Sequence, residues 1–375
     1  MHHLPDPELN SLKRRWFAFT FAFTLVGLLF LSACQKTGTG PGTTPPAPPD
    51  TTSHNFSWQT FTFGGQHGSS VLQDVAIINE NDIWAVGEIH TAQTDTYDSL
   101  GNWQLPFNAV HWDGVKWELK RIPFIGACSA VDFPTLRAIW AFENDNVYFT
   151  NGGSLVHYNG NGFNMDCGMN SLLSGAINKI LGISPSDIYA VGGKGSIVHY
   201  DGQGWQKIES GTTTNINDVW GYVDPKSGGK TVLAAVSSRY HSGQIRLLSI
   251  KSGSATDTLE TNLNRVINGV WFGQNTPLYV VGDGLRMHTE QGWQKINIPP
   301  YFSTRIRGTA VNNIFVVGAF GLVVHYNGNT WRSYPELMMN NGSLEGLDMK
   351  TNIVAAVGEN TIGNYRDAAV IIIGK

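Results

Sequence analysis

One four-part pattern recurs seven times between residues 54 and 375. A chain written this way must build like units and stack them side by side. Each copy opens on two apolar residues separated by two variable ones. The seven openings are Leu72-Gln73-Asp74-Val75, Leu136-Arg137-Ala138-Ile139, Ile177-Asn178-Lys179-Ile180, Ile216-Asn217-Asp218-Val219, Ile267-Asn268-Gly269-Val270, Ile306-Arg307-Gly308-Thr309 and Leu344-Glu345-Gly346-Leu347. A second run follows, clearest in Asp82-Ile83-Trp84-Ala85-Val86-Gly87, Asp187-Ile188-Tyr189-Ala190-Val191-Gly192 and Asn313-Ile314-Phe315-Val316-Val317-Gly318. A third run ends in a shared turn, as in Ile197-Val198-His199-Tyr200-Asp201-Gly202 and Val323-Val324-His325-Tyr326-Asn327-Gly328. A Trp opens the fourth run at Trp117, Trp205, Trp293 and Trp331, with Phe163 in the second copy.

β-Branched and aromatic residues fill these runs, and Asp, Asn and Gly separate them, which reads as four short antiparallel strands per unit. The Asp-Gly and Asn-Gly steps predict tight hairpin turns with positive φ angles. Seven such units of roughly 46 residues predict an all-β, seven-bladed β-propeller of four-stranded antiparallel blades. The chain ends explain themselves on this reading. The last copy stops at its third strand, Ala369-Val370-Ile371-Ile372-Ile373, and has no Trp strand. The missing strand stands at the other end, where Phe56-Ser57-Trp58-Gln59-Thr60 is similar to Gly204-Trp205-Gln206-Lys207. Pairing the two closes the ring and covers both edges. Composition agrees: charged residues are 14% and Gly numbers 43, as a turn-rich β protein requires. A net charge of −4 gives no reason to expect a nucleic-acid partner, because binding phosphates needs a basic face.

The first 53 residues are different in kind. Lys13, Arg14 and Arg15 precede an uncharged apolar run, Trp16 to Phe30, which ends in Leu31-Ser32-Ala33-Cys34. Basic residues, apolar run, small residues and Cys in this order resemble a bacterial lipoprotein signal. The resemblance implies cleavage after residue 33 and acylation of Cys34, which becomes the first residue and anchors the chain stably in a membrane. Gln35 where inner-membrane proteins carry Asp points to the outer membrane of a bacterial envelope. Residues 34–53, rich in Gly, Thr and Pro, read as a tether, and 54–375 as the propeller.

The repeats resemble bacterial envelope propellers of the photosystem II assembly factor-like and sialidase Asp-box-like kind. The residues that carry this are Asp187 to Gly192, His199-Tyr200-Asp201-Gly202 and Trp205, with their counterparts in other copies. The turn is one residue shorter than an Asp-box, as Asp201 to Trp205 shows, and the Gly-His and Trp-Asp signature of WD repeats is absent. The resemblance implies the fold and says little of activity.

No H-E-x-x-H, G-x-S-x-G or Rossmann fingerprint occurs. Gly229-Lys230-Thr231 has Asp224 where a phosphate loop needs glycine. His111, His157, His199, His288 and His325 occupy like positions in different blades, so they read as structural groups bonding nearby backbone rather than a metal centre. No catalytic residue, metal or cofactor is assigned. Cys128 and Cys167 follow outermost strands of neighbouring blades on one face, placed either to form a disulfide or to stay two thiols.

Propellers bind chiefly at one end of the central channel. The second residue of each opening run should ring the mouth: Gln73, Arg137, Asn178, Asn217, Asn268, Arg307 and Glu345, all polar. Loops on the same face add Trp103, Arg121, Tyr240 and Tyr301, aromatic and Arg groups of the kind that anchor partners. The expectation is a lipid-anchored, monomeric binding or scaffold module for an envelope protein or glycan. The alternative is a glycan-active enzyme, glycosidase- or glycosyltransferase-like, with two carboxylates or an Arg cluster converging in the mouth.

Overall fold

Alternating apolar residues turn each repeat into a four-stranded antiparallel sheet. A computed structural model describes residues 50–375, except 127–129, 239–244, 252, 258–262, 264–265 and 363–365. It contains seven such sheets. The third blade is representative: Ile177–Ser184 innermost, then Asp187–Gly192, Ile197–Tyr200 and Trp205–Lys207. Each innermost strand packs against the innermost strands of its two neighbours, which makes the sheets a ring. The N-terminal strand Trp58–Phe63 completes the seventh blade beside Arg366–Gly374, with Trp58 opposite Gly374 and Phe63 opposite Ala369. The seven-bladed, four-stranded fold and its mode of closure are those read from the sequence.

The core lies between blades. Leu72, Ile83 and Ala85 of the first blade bury themselves with Val357, Ile371 and Ile373 of the seventh. Each of these Leu, Ile and Val side chains contributes roughly 1.5–3 kcal/mol by leaving water. The glycine that ends the second strand is fixed by backbone contact. A Cβ on Gly192 would lie 2.1 Å from the Ala176 carbonyl oxygen, and one on Gly87 would lie 2.0 Å from that of Val71. Gly282, Gly318 and Gly358 meet the same obstacle. Gly192→Ala is therefore expected to cost about 3 kcal/mol through overpacking, measured as a lower urea midpoint with unchanged slope.

The repeated histidine has a side-chain partner, where the sequence suggested backbone. His199 stacks on Tyr189 at 4.3 Å, and its Nε2 is 2.7 Å from Asp187 Oδ1. His111 repeats this on Trp84 and Asp82, His157 on Tyr148 and Asn146, and His325 on Phe315 and Asn313. The Asp or Asn that opens the second strand thus fixes the imidazole of the third. The turn also differs from expectation. Only its glycine is left-handed, as at Gly202 (φ +89°). The preceding Asp201 instead accepts the backbone N–H of Gln203 and Gly204 through Oδ1, an Asx turn within a four-residue loop.

Candidate functional site

The end of the ring where the innermost strands begin holds a cavity of about 270 Å³. Six of the seven expected ring residues line it: Gln73, Arg137, Asn178, Asn217, Asn268 and Glu345. A bulge puts five of them there, and Arg137 stands directly before its strand, Ala138–Glu143. The pairing of first and second strands breaks between Leu72 and Asp74, Ile177 and Lys179, Ile216 and Asp218, Ile267 and Gly269, and Leu344 and Gly346. The skipped residue has no cross-strand partner, and the bulge aims it at the channel.

Arg307 is a correction. In the sixth blade the break falls between Ser303 and Arg305, so the repeat begins at Ser303 and Thr304 holds the ring position. Ser303 is buried where the other copies have Leu or Ile, so the apolar marker shifts to Ile306. Arg305 lines the mouth instead, and Arg307 lies deeper.

The asparagines also join blades. Asn217 Nδ2 donates to the carbonyls of Ser237 (3.2 Å) and Ile267 (3.1 Å). Asn178 Nδ2 donates to Ile216 O of the next blade at 3.4 Å, and Asn268 Nδ2 to Thr304 O at 3.0 Å. Thr304 Oγ1 continues the series to Leu344 O.

Below the mouth the channel is filled by buried charge. Lys179 Nζ lies 2.6 Å from Asp74 Oδ1. Arg307 grips Asp218 with both terminal nitrogens, at 2.9 and 2.8 Å, and its guanidinium lies 4.7 Å from the Trp220 ring. Asp74 Oδ2 accepts the Ile139 N–H, Asp218 Oδ2 that of Val270, and Asp348 Oδ2 that of Ile77. Burial opposes ionisation of Asp218, yet Arg307 and Arg305 beside it hold its carboxyl below the usual range. Burial pushes the Asp348 carboxyl up. The channel is therefore a blind cup with an ionic floor. The sequence anticipated the polar rim; the floor comes from residues one and three positions further along the same strands.

Two hairpins rise on the mouth face. Tyr97 and Trp103 pair in the first, Thr96–Tyr97 with Trp103–Gln104, and both are exposed, as is Leu100 at its tip. Its base is held by His90, which bonds Glu88 at 2.7 Å and Asp95 at 2.6 Å. The second, Phe124–Gly126 with Ala130–Asp132, exposes Ile125 and Val131. Asn108 ties the two segments, donating to Ile122 O and Pro134 O at 3.0 Å. Arg121 is a brace and not a free anchor: Nε and Nη2 donate to Leu105 O at 3.0 and 2.6 Å, and the guanidinium covers Phe107. Tyr301 packs against Phe320, ring centres 5.4 Å apart. Tyr240 lies outside the described residues, as does Cys128, and Cys167 is exposed. Among the described residues no three His, Cys, Asp or Glu side chains cluster as metal ligands do.

These features define a seven-bladed β-propeller with a blind, polar cup at the centre of one face. Solved structures share the fold. The chain is similar to YCF48 bound to D1 peptide, with TM-score 0.58 and 12% identity over 88% of this chain and 98% of that one. YCF48 from Cyanidioschyzon merolae gives 0.56 and 14%, covering 85% and 98%. The WD40 propeller domain of Doa1 gives 0.55 and 10%, covering 85% and 97%. No protein-family model matches the chain, and no curated protein matches it by sequence.

Proposed function

We propose that this chain is a lipid-anchored binding module of a bacterial envelope, and that it takes a protein partner on the face bearing the cup. The carrying observation is the cup itself: polar side chains from most of the blades converge on one closed depression, flanked by exposed Tyr97, Leu100 and Trp103. Exposed Tyr and Trp beside Arg137 are the residue types that anchor protein partners. A similar fold bound to a peptide supports the reading by analogy of architecture. The described chain begins on the opposite face of the propeller. Thr52 N–H donates to Asn327 O at 3.0 Å, and Asp50 O accepts from Asn312 Nδ2 at 3.2 Å. Both asparagines lie in turns on the face opposite the cup.

Cross-linking pulldown from intact envelopes tests this, comparing wild type with Arg137→Ala/Trp103→Ala. The expected result is loss of a specific protein with the double variant. An unchanged set of captured proteins would remove this face from consideration.

Glu359 favours the second reading, a glycan-active enzyme. Burial, Glu345 and Asp367 push its carboxyl up to about 7, which suits a general acid near neutral pH. Turnover of envelope glycan that disappears in Glu359→Gln would establish this reading in place of the first.

A further inference from the structure

We infer that the cup is a carboxylate site, shaped to receive one acidic group of a protein partner, either a chain end or an Asp or Glu side chain. The inference rests on the protein-binding reading and specifies its chemistry.

The acids of the floor are engaged: Asp74 by Lys179, Asp218 by Arg307, and Asp348 by the backbone N–H of Ile77 and Met349. Arg305, only 9% exposed, lies beside Asp218 but bonds no acid among the described residues. Its Nη1 donates to the Asn268 and Thr304 carbonyls at 3.3 and 3.0 Å, and its Nε has no acceptor. A buried guanidinium left this way is costly unless something arrives to pair with it. Arg137, exposed on the rim of the same cavity, also pairs with no acid among the described residues. Glu345 is the single carboxylate among the described lining residues, and it accepts a hydrogen bond from Ser343 Oγ at 2.7 Å.

The amides say what accompanies the carboxylate. Asn178, Asn217 and Asn268 each spend Nδ2 on a backbone carbonyl. That fixes their orientation and leaves Oδ1 as an acceptor. Two guanidiniums plus a row of acceptors complement a group with a carboxylate and neighbouring N–H donors, as a peptide has. The described lining contains no aromatic ring on which a sugar would stack. About 270 Å³ accommodates one side chain or one chain end, and the rest of the partner would lie on the surrounding face.

Ligand-observed NMR on the full chain in detergent tests this with three probes. N-acetylglutamate α-methylamide carries only a side-chain carboxylate, and N-acetylalanine only a chain-end carboxylate. N-acetylglutamine methylamide carries neither. At least one carboxylate should bind saturably with a dissociation constant on the order of millimolar, and the neutral probe roughly tenfold more weakly. Arg137→Gln should weaken the carboxylate by roughly tenfold and Arg305→Gln by more. Should Arg305→Gln fail to fold, the exposed Arg137 decides. Equal binding of all three, no saturable binding, or indifference to Arg137→Gln would overturn the inference. Protein capture at this face that survives Arg137→Gln would sink the carboxylate and keep the protein-binding reading. Carboxylate binding without any face-dependent capture would do the reverse.

Discussion

Asp218→Ala is expected to destabilise the propeller by about 3–5 kcal/mol. The substitution strips Arg307 of the carboxylate it holds through two bonds and takes the acceptor from the Val270 N–H. Arg307 is 3% exposed and cannot turn to water, so its charge would stay buried and unpaired. Replacing both partners by apolar groups, Asp218→Leu with Arg307→Met, should recover most of the loss, because no charge is then left behind. Urea unfolding of the singles and the double gives the coupling directly. A cost below about 1 kcal/mol for Asp218→Ala would mean that water reaches the floor and the cup is not blind.

Acid should weaken the ring at its closure. His325 is fully buried; its Nδ1 meets His54 Nδ1 at 2.9 Å, and its Nε2 meets Asn313 Oδ1 at 3.1 Å. Asn313 Oδ1 can only accept, so His325 carries its proton on Nε2 and His54 donates to its Nδ1. A proton on His325 Nδ1 would force the His54 proton to Nε2, facing Thr330 Oγ1, and would leave a charge at a buried site. Burial, with His54 beside it, lowers the His325 pKa to about 3; burial and Arg332 also lower that of His54. The folded state thus refuses protons that the unfolded chain accepts below pH 6.5. The contribution of these two histidines is constant above that value and falls as the pH drops towards 3. The loss from His325 alone is about 2 kcal/mol at pH 5. His54 belongs to the segment that enters the closing strand, and its carbonyl accepts from Tyr334 Oη at 2.8 Å. His325→Gln should lower stability at pH 8 and flatten its dependence between pH 6.5 and 4. A slope unchanged in that variant would assign the acid loss elsewhere.

The fold was legible because the repeat is written in strong physical signals. The glycine of Asp187–Gly192 is dictated by a neighbouring carbonyl, the His-Tyr pair by a stack and a bond to Asp187, and the closing strand by Trp58. Each signal recurs, so agreement among copies replaces certainty about any one. The site was legible only where the repeat held. Six ring residues follow from position, but Ser303 carries no apolar marker, and the sixth blade was read three residues late. That slip placed Arg307 on the rim and hid Arg305. The floor was invisible for another reason: Asp74, Lys179, Asp218 and Arg307 belong to four different blades, and no periodicity within a strand announces that they meet. Arg121 shows the converse error. An Arg among aromatics reads as a binding anchor, yet two bonds to Leu105 O make it a brace.

Photo-crosslinking in intact cells tests the central claim most directly, with a photoactive amino acid at Gln73 on the cup or at Gln206 on an outermost strand. Crosslinks to a defined protein from position 73, reduced by Arg137→Gln and absent from position 206, are the predicted result. Crosslinks from position 206 with none from 73 would contradict the assignment and move function to the sides of the blades.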